Sequence, residues 1–489
     1  MYSSAPRKLA ALLFTLITLV GLSSCSATKP AFIVITHVTV IDATGAPPQP
    51  DSTVAIVDSR ISTIGSSASA TIPPGARVID GTGKFLIPGL ADMHLHLTGA
   101  GEPEGSREFI LPLLVANGVT TVRDMGGNAD YLKQLRKEID SGERLGPQIF
   151  FTGPYLDGDP PYFQPSLVVR NAGEAASGVQ QIKSSGADFV KVQSRLQPEA
   201  YFAIAREASR QGMRFVGHVP DSISASAASD AGQASIEHLT GVMLACSTRE
   251  EELRRRQLAP LPQHGSVQES LDRLRAWQRD LLASQSPEQE AKLFQKFVKN
   301  GTWQVPTFPL LIHLAFLTPE TDLSNDPRLK FIPGNVRKNW EEGRRESLEH
   351  EAAPDFALRK QMSGRLLVLV GKMNAAGVGI LAGTDTGAPN VFPGFSLHED
   401  LFHFTEAGLR PLQALQAATA KPAEFLHRSE TQGTIAVGQR ADLVLLDANP
   451  LDDIRNTQKI RAVILQGKYL DRADLDAMLA KVERFAAAH

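Results

Sequence analysis

Two histidines, His94 and His96, sit in the run Gly89-Leu-Ala-Asp-Met-His-Leu-His-Leu97, directly after the apolar, strand-like segment Lys84-Phe-Leu-Ile-Pro-Gly-Leu90. Successive side chains on a strand point to opposite faces, so these imidazoles converge on one spot while Met93 and Leu95 face the apolar side. Convergent imidazoles are common protein ligands of zinc and related ions. A single His-x-His pair is weak evidence, because packing and surface pairs share the pattern. Its weight comes from residues at the ends of later apolar runs. These are Lys191 in Gly186-Ala-Asp-Phe-Val-Lys-Val192, His218 in Phe215-Val-Gly-His-Val-Pro220, His238 in Ser235-Ile-Glu-His-Leu239 and Asp385 in Leu381-Ala-Gly-Thr-Asp-Thr-Gly387.

The elements that would gather these residues are short apolar strands, expected at 87–96, 120–124, 148–152, 188–193, 214–218, 234–238, 302–307 and 379–385. Stretches of helical spacing lie between them, such as 130–141 and 198–211, with Gly142 and Gly212 as stops. Eight such units predict an α/β fold of the (β/α)8, or TIM-barrel, type, in which the C-terminal ends of the strands meet at one mouth. The region 89–428 is longer than the roughly 250 residues of a typical barrel. The surplus lies near 246–299 and 313–360, two polar, helical-looking insertions expected to cap the mouth. Segments 32–88 and 429–470 carry β-branched runs and turn residues, which predicts a small β-sandwich built from both ends. A helix is expected over 471–489.

At these residues the chain resembles the amidohydrolase superfamily, in its imidazolonepropionase-like and prolidase-like bacterial branch. The resemblance runs from about Phe32 to Lys468. Its motifs are Ile87-Pro-Gly-Leu-Ala-Asp-Met-His-Leu-His96, Gly118-Val-Thr-Thr-Val-Arg-Asp124 and Gly433-Thr-Ile-Ala-Val-Gly-Gln-Arg-Ala-Asp-Leu-Val444. The resemblance implies two divalent metal ions, with zinc expected. His94, His96 and Asp385 would hold the more buried ion, and His218 and His238 the more exposed one. Lys191 would bridge them as a carbamate, since an ammonium would repel two dications. The implied reaction is hydrolysis of an amide by a metal-bridging hydroxide, with Asp385 as general base. The substrate class expected is a dipeptide, such as Xaa-Pro, or an N-acyl amino acid. The same centre would serve a lactonase, esterase or phosphotriesterase. A non-catalytic binding lipoprotein is the third reading.

Other residues have less defined roles. Glu237 reads equally as an orienting partner for an imidazole and as an exposed salt bridge. Asp385 beside Thr384 and Thr386 has helix capping as its structural alternative. His398 and Glu399, in Gly394-Phe-Ser-Leu-His-Glu-Asp400, resemble a pair near the mouth of such barrels. Tyr155, Tyr162, Arg123 and Arg195 are candidate substrate contacts from strand-end loops, and His398 is a further candidate contact.

The chain has 489 residues, a net charge of −3 and 21% charged residues, which gives no electrostatic case for nucleic acid. Arg7 and Lys8 precede an apolar run over 9–22, too short for the roughly 20 residues of a membrane span but suited to a signal peptide. It ends in Leu22-Ser-Ser-Cys25, which resembles a bacterial lipobox. This predicts a signal peptide over 1–25, lipidation of Cys25 and a tether over 26–31. It also predicts a membrane partner through that anchor, in the cell envelope at the outer membrane and periplasm. Ser26 in place of Asp lacks the inner-membrane retention signal. The other cysteine, Cys246, is expected to be buried. A small-molecule substrate is expected, and a homo-oligomer is left open.

Overall fold

A computed structural model describes residues 32–98, 105–163, 166–260, 266–349 and 351–489. The expected signal peptide, tether and Cys25 lie outside the described residues.

Strands from both ends of the chain join in one eight-stranded sheet. Phe32–Val40 pairs antiparallel with Gln49–Val57, which pairs with Arg60–Ser66, and runs parallel to Arg77–Asp80 and Phe85–Pro88. Phe85–Pro88 then pairs antiparallel with Leu443–Leu446, which leads to Ile460–Leu465 and Lys468–Asp471. The strands of the expected sandwich are thus linked in one mixed sheet. Phe85–Pro88 is bonded along both edges, so the halves meet side by side. The strand period of two is visible in the packing. Leu443, Leu445, Ala462 and Ile464 enter one apolar cluster, while Val444, Leu446, Val463 and Leu465 enter another, shared with the α/β body.

That body alternates parallel strands with helices. Leu90–Leu95, Val119–Asp124 and Gln148–Phe151 form a three-stranded sheet. Phe189–Val192, Arg214–Gly217, Ser235–Glu237 and Trp303–Val305 form a second sheet, edged by Tyr155–Asp157 and Ser166–Val168. One continuous eight-stranded ladder, as expected for the barrel, is not seen. The eighth segment contributes isolated parallel bridges, Gln304 to Ile380 and Leu95 to Thr386. The cause is local. A Cβ on Gly383 would come 2.8 Å from the Cβ of His94, and the backbone N–H groups of Thr384 and Asp385 both turn onto the His94 carbonyl, at 3.0 and 2.7 Å.

The insertions are helical. The first holds Glu250–Leu258, Val267–Ala283 and Pro287–Asn300; the second holds Gly334–Leu348 and the start of Ala353–Ala375. They are tied together by Arg275 with Asp355 and by Arg365 with Glu290. Arg254 donates to the carbonyls of Asp221 and Ile223, just past the strand that ends beside His218. The last helix is Arg472–Ala488. Cys246 is buried, and burial pushes its thiol up to about 12. Among the described residues no helix is long and apolar enough to cross a membrane.

Candidate metal centre

Four imidazoles meet at the strand ends, and each is held by its Nδ1. His94 Nδ1 lies 2.7 Å from Glu237 Oε2 and His96 Nδ1 lies 3.0 Å from the Gly126 carbonyl, so both must donate. His218 Nδ1 is 2.9 Å from Ser194 Oγ, and His238 Nδ1 is 2.7 Å from Thr307 Oγ1. A hydroxyl could be donor or acceptor there. The Ser194 hydroxyl, however, points its one hydrogen at Gln193 Oε1, and that of Thr307 goes to the Pro306 carbonyl. Both therefore accept from the imidazole. In all four rings Nδ1 has an acceptor in place, which leaves Nε2 as the atom turned to the site, the arrangement a metal ligand needs.

The ring nitrogens facing the site converge. The donor atoms of His94, His238 and Asp385 lie within 4.8 Å of one another. Asp385 Oδ1 is 3.3 Å from His94 Nε2 and 3.2 Å from His96 Nε2. The His218 and His238 ring centroids are 4.9 Å apart. His94 Nε2 is buried without a hydrogen-bond partner. A buried ring nitrogen without a partner, set close to a carboxylate, is a place a cation can fill, and imidazole with carboxylate suits zinc and its neighbours. The donor set fits a divalent metal. The closest group unites His94, His238 and Asp385, with Asp385 also beside His96, so Asp385 stands between the two expected ligand pairs.

The backbone is bent to bring the groups in. His238, Thr307 and Asp385 adopt φ of 57°, 53° and 65°. This left-handed region costs a non-glycine residue of order 1 kcal/mol or more and clusters at functional sites. Gly126, whose carbonyl fixes His96, is packed so closely that a Cβ would lie 2.2 Å from the Tyr155 ring.

Charge is arranged around the cluster. Burial would raise the Glu237 carboxyl, but the Arg123 guanidinium and His94 outweigh it and hold it at about 2. Glu237 is fully buried and also accepts from Ser235 Oγ and Arg123 Nη2. It is an orienting partner and not an exposed salt bridge. Burial pushes Lys191 down to about 8, against the attraction of Glu237 and Asp385. Burial also opposes ionisation of Asp385, yet His238 and His94 keep its carboxyl well below the usual range. Burial, then Lys191 and the neighbouring imidazoles, keep His218 neutral; burial and His94 hold His238 at about 3.

The remaining candidates divide. Tyr155 stands in the centre, its ring centroid 6.3 Å from that of His96 and 5.7 Å from Lys191 Nζ. Tyr162 and Arg195 lie further out, both exposed, with the guanidinium 5.3 Å over the ring. Two expectations are corrected. Arg123 is not a mouth residue: it is fully buried and donates to the Met93 carbonyl, Ser235 and Glu237. His398 is not a substrate contact: its helix, Phe395–Glu406, turns it inward to Thr457 Oγ1 at 2.9 Å. Glu399 lines a separate cavity of about 190 Å³ with Arg328 and His313.

Several positioning residues were not anticipated. Asp92 accepts from Thr384 Oγ1 and is raised by burial to about 7. Asp124 takes the backbone N–H groups of Leu97 and Gly126. Asp400 takes those of Phe308 and Gly383. Asp92, two residues before His94, was detectable as a third polar residue on the inward strand face.

The chain is 24% identical over 437 residues to ochratoxinase of Aspergillus niger, covering 77% of this chain and 73% of that protein. An adenine deaminase of Paracoccus denitrificans is 35% identical over only 74 residues, and the chain spans 12% of that protein's length. Among solved structures, bottromycin amidohydrolase superposes with a TM-score of 0.72 at 23% identity, over 93% of this chain and 90% of that one. A Xaa-Pro dipeptidase with methionine in its active site superposes with 0.62 at 19% identity, over 90% and 100%. The model of the Amidohydrolase family matches residues 85–252 and 365–470, and these hold all six candidate ligands. The chain belongs to the amidohydrolase family and is a hydrolase of C–N bonds.

Proposed function

We propose that the protein is a metal-dependent amide hydrolase that cleaves a dipeptide or an N-acyl amino acid. The observation that carries this is the placement of four imidazoles, each held at Nδ1, with His94, His96 and His238 gathered around Asp385 and His218 beside His238. These five side chains would hold two divalent ions, with zinc expected and Lys191 between them as a carbamate. When bound, such ions lower the pKa of water and polarise a carbonyl oxygen. The strand order supports a barrel closed through the 379–385 segment.

Asp385 is ionised, sits between the imidazoles, and is the group that accepts the water proton and returns it to the leaving nitrogen. Tyr155 keeps its phenolic proton, because burial and then Asp124 and Asp385 disfavour its anion. It therefore offers an O–H donor to the substrate. Glu237 and Arg123 lie beneath and hold His94 in place. The names of the neighbours, a dipeptidase and an ochratoxinase, favour a small amide over a polymer.

A parallel assay of Xaa-Pro dipeptides, N-acyl amino acids, lactones and phosphotriesters tests the reading. Cleavage of amides, with kcat lowered at least ~10²-fold in Asp385→Asn at unchanged fold, is expected. Turnover confined to lactones or phosphotriesters would replace it.

A further inference from the structure

The two halves of the metal centre are braced differently. His94 leans on Glu237, which is fully buried together with Arg123. His218 is half-buried and leans on Ser194, a loop residue just past Lys191. The segment that follows His218 is tied on several sides. Val219 donates its N–H to Thr240 Oγ1, in the bend after His238, at 2.9 Å. Asp221 donates its N–H to the Ser194 carbonyl at 3.0 Å, and Ser222 Oγ donates to the Leu196 carbonyl at 2.8 Å. Next to Ser194, the N–H of Arg195 is held by the buried carboxylate of Asp157 at 2.8 Å.

The remaining tie comes from the first insertion. Arg254, in the middle of the helix Glu250–Leu258, donates from Nη1 to the carbonyls of Asp221 and Ile223 at 3.0 and 2.6 Å. Its Nη2 is fixed by Glu250 Oε1 at 2.6 Å, and Gln257 Nε2 reaches Asp221 Oδ1 at 2.9 Å. The Arg254 side chain is only 14% exposed, so these bonds are largely shielded from water. A guanidinium fork held at both nitrogens fixes direction as well as distance. Arg254 and Gln257 lie beyond residue 252, where the family match breaks off. The tie therefore belongs to this chain's insertion and not to the shared body.

Resting on the metal-dependent hydrolase reading, we propose that Arg254 is a positioning residue for His218, through which the insertion holds the outer half of the metal centre together. The path is short. It runs from the guanidinium to the Asp221 carbonyl, from the Asp221 N–H to the Ser194 carbonyl, and from Ser194 Oγ to the His218 ring. Without Arg254 the backbone at 221–223 loses its outer anchor, Ser194 gains freedom, and the His218 ring is no longer held in one orientation toward an ion. Binding between His218 and His238 then weakens. Binding at His94, His96 and Asp385 does not, because Glu237 and the Gly126 carbonyl brace those imidazoles independently.

The metal-free full chain is titrated with zinc in bicarbonate buffer by calorimetry, and the two affinities are read separately. Arg254→Met should weaken the weaker site about tenfold, the lower end of the loss for groups that orient a ligand, and leave the tighter site unchanged. Arg254→Lys keeps the charge and a donor and should recover part of the loss. Arg273→Met is the control. Arg273 donates to the carbonyls of Arg256, Ala259 and Pro260 within the insertion, so its loss should lower stability and leave both affinities as they were. Wild-type affinities in Arg254→Met, or an equal drop in Arg273→Met, would overturn the proposal while the metal reading stands. A wild type that binds one zinc or none removes the two-ion reading, and the His218 ring itself then decides. Its nitrogen resonances, assigned with His218→Gln, should shift or broaden in Arg254→Met and not in Arg273→Met; unchanged resonances would overturn the proposal.

Discussion

Glu237 and His94 form a carboxylate–imidazole pair sealed from solvent: Oε2 accepts the Nδ1 proton at 2.7 Å, and neither side chain has exposed surface. Arg123 supplies the positive charge that lets Glu237 stay ionised there, at 3.0 Å from Oε1. The free Nε2 of His94 is thereby aimed at Asp385.

Glu237→Gln keeps the shape and removes the charge. It should weaken metal binding roughly 10- to 100-fold, the usual loss for a group that orients a ligand. It should also cost about 3–5 kcal/mol of stability, because Arg123 is left buried without its counter-charge. Competitive metal titration and urea unfolding measure the two effects. Unchanged metal affinity would deny Glu237 its orienting role.

Lys191 sets a pH dependence. Only a neutral amine adds carbon dioxide, and the neutral fraction of Lys191 rises as pH climbs through about 8. Reactivation of the chelated enzyme by metal should therefore require bicarbonate and quicken between pH 7 and 9. The folded-state value lies below the ordinary lysine value, so the metal-free protein bears the full cost of burying this amine below about pH 8. That cost is relieved as pH rises toward 10.5. Lys191→Ala should abolish the bicarbonate effect on reactivation rates.

Asp400 ties two strand ends together. It holds the N–H of Gly383, two residues before Asp385, and that of Phe308, next to the Thr307 that fixes His238. Asp400→Asn turns an N–H group toward one of these donors and should cost about 1–3 kcal/mol, with weaker metal binding. Burial raises the Asp400 carboxyl well above its usual range, against both hydrogen bonds. The contribution of Asp400 should then fall as pH rises from the ordinary carboxylate value through the raised one, and stay low above it. Across pH 4 to 8 the difference in unfolding free energy between wild type and variant should show this slope, since the other raised carboxyls are common to both.

Cys25 is proposed as a lipidation site. Cys25→Ser should move the expressed protein from the membrane pellet to the soluble fraction and abolish labelling by a radioactive fatty acid. Retention in the membrane would point to another anchor.

The candidate ligands could be picked out because strand alternation relates His94 to His96, and because Lys191, His218, His238 and Asp385 end apolar runs. Of their Nδ1 partners, Glu237 was weighed from its place beside His238, but the other three were not. Ser194, Thr307 and Gly126 belong to bends, and Thr307 reaches His238 through a left-handed backbone that pattern does not announce. Arg123 precedes Asp124 on one strand and resembled a mouth residue, yet its side chain runs inward to Glu237. His398 was misjudged by helix phase, which turns it to Thr457. The single terminal sheet was hidden because pairing of Phe85–Pro88 with Leu443–Leu446 joins segments far apart in the chain.

Amide cleavage before and after chelation tests the central claim most directly. Ammonia-free release of amino acid from dipeptides and N-acyl amino acids should cease when metal is removed and return when zinc, manganese or cobalt is restored with bicarbonate. Cleavage that persists in fully chelated protein, or that stays absent after reloading, would contradict a metal-dependent amide hydrolase.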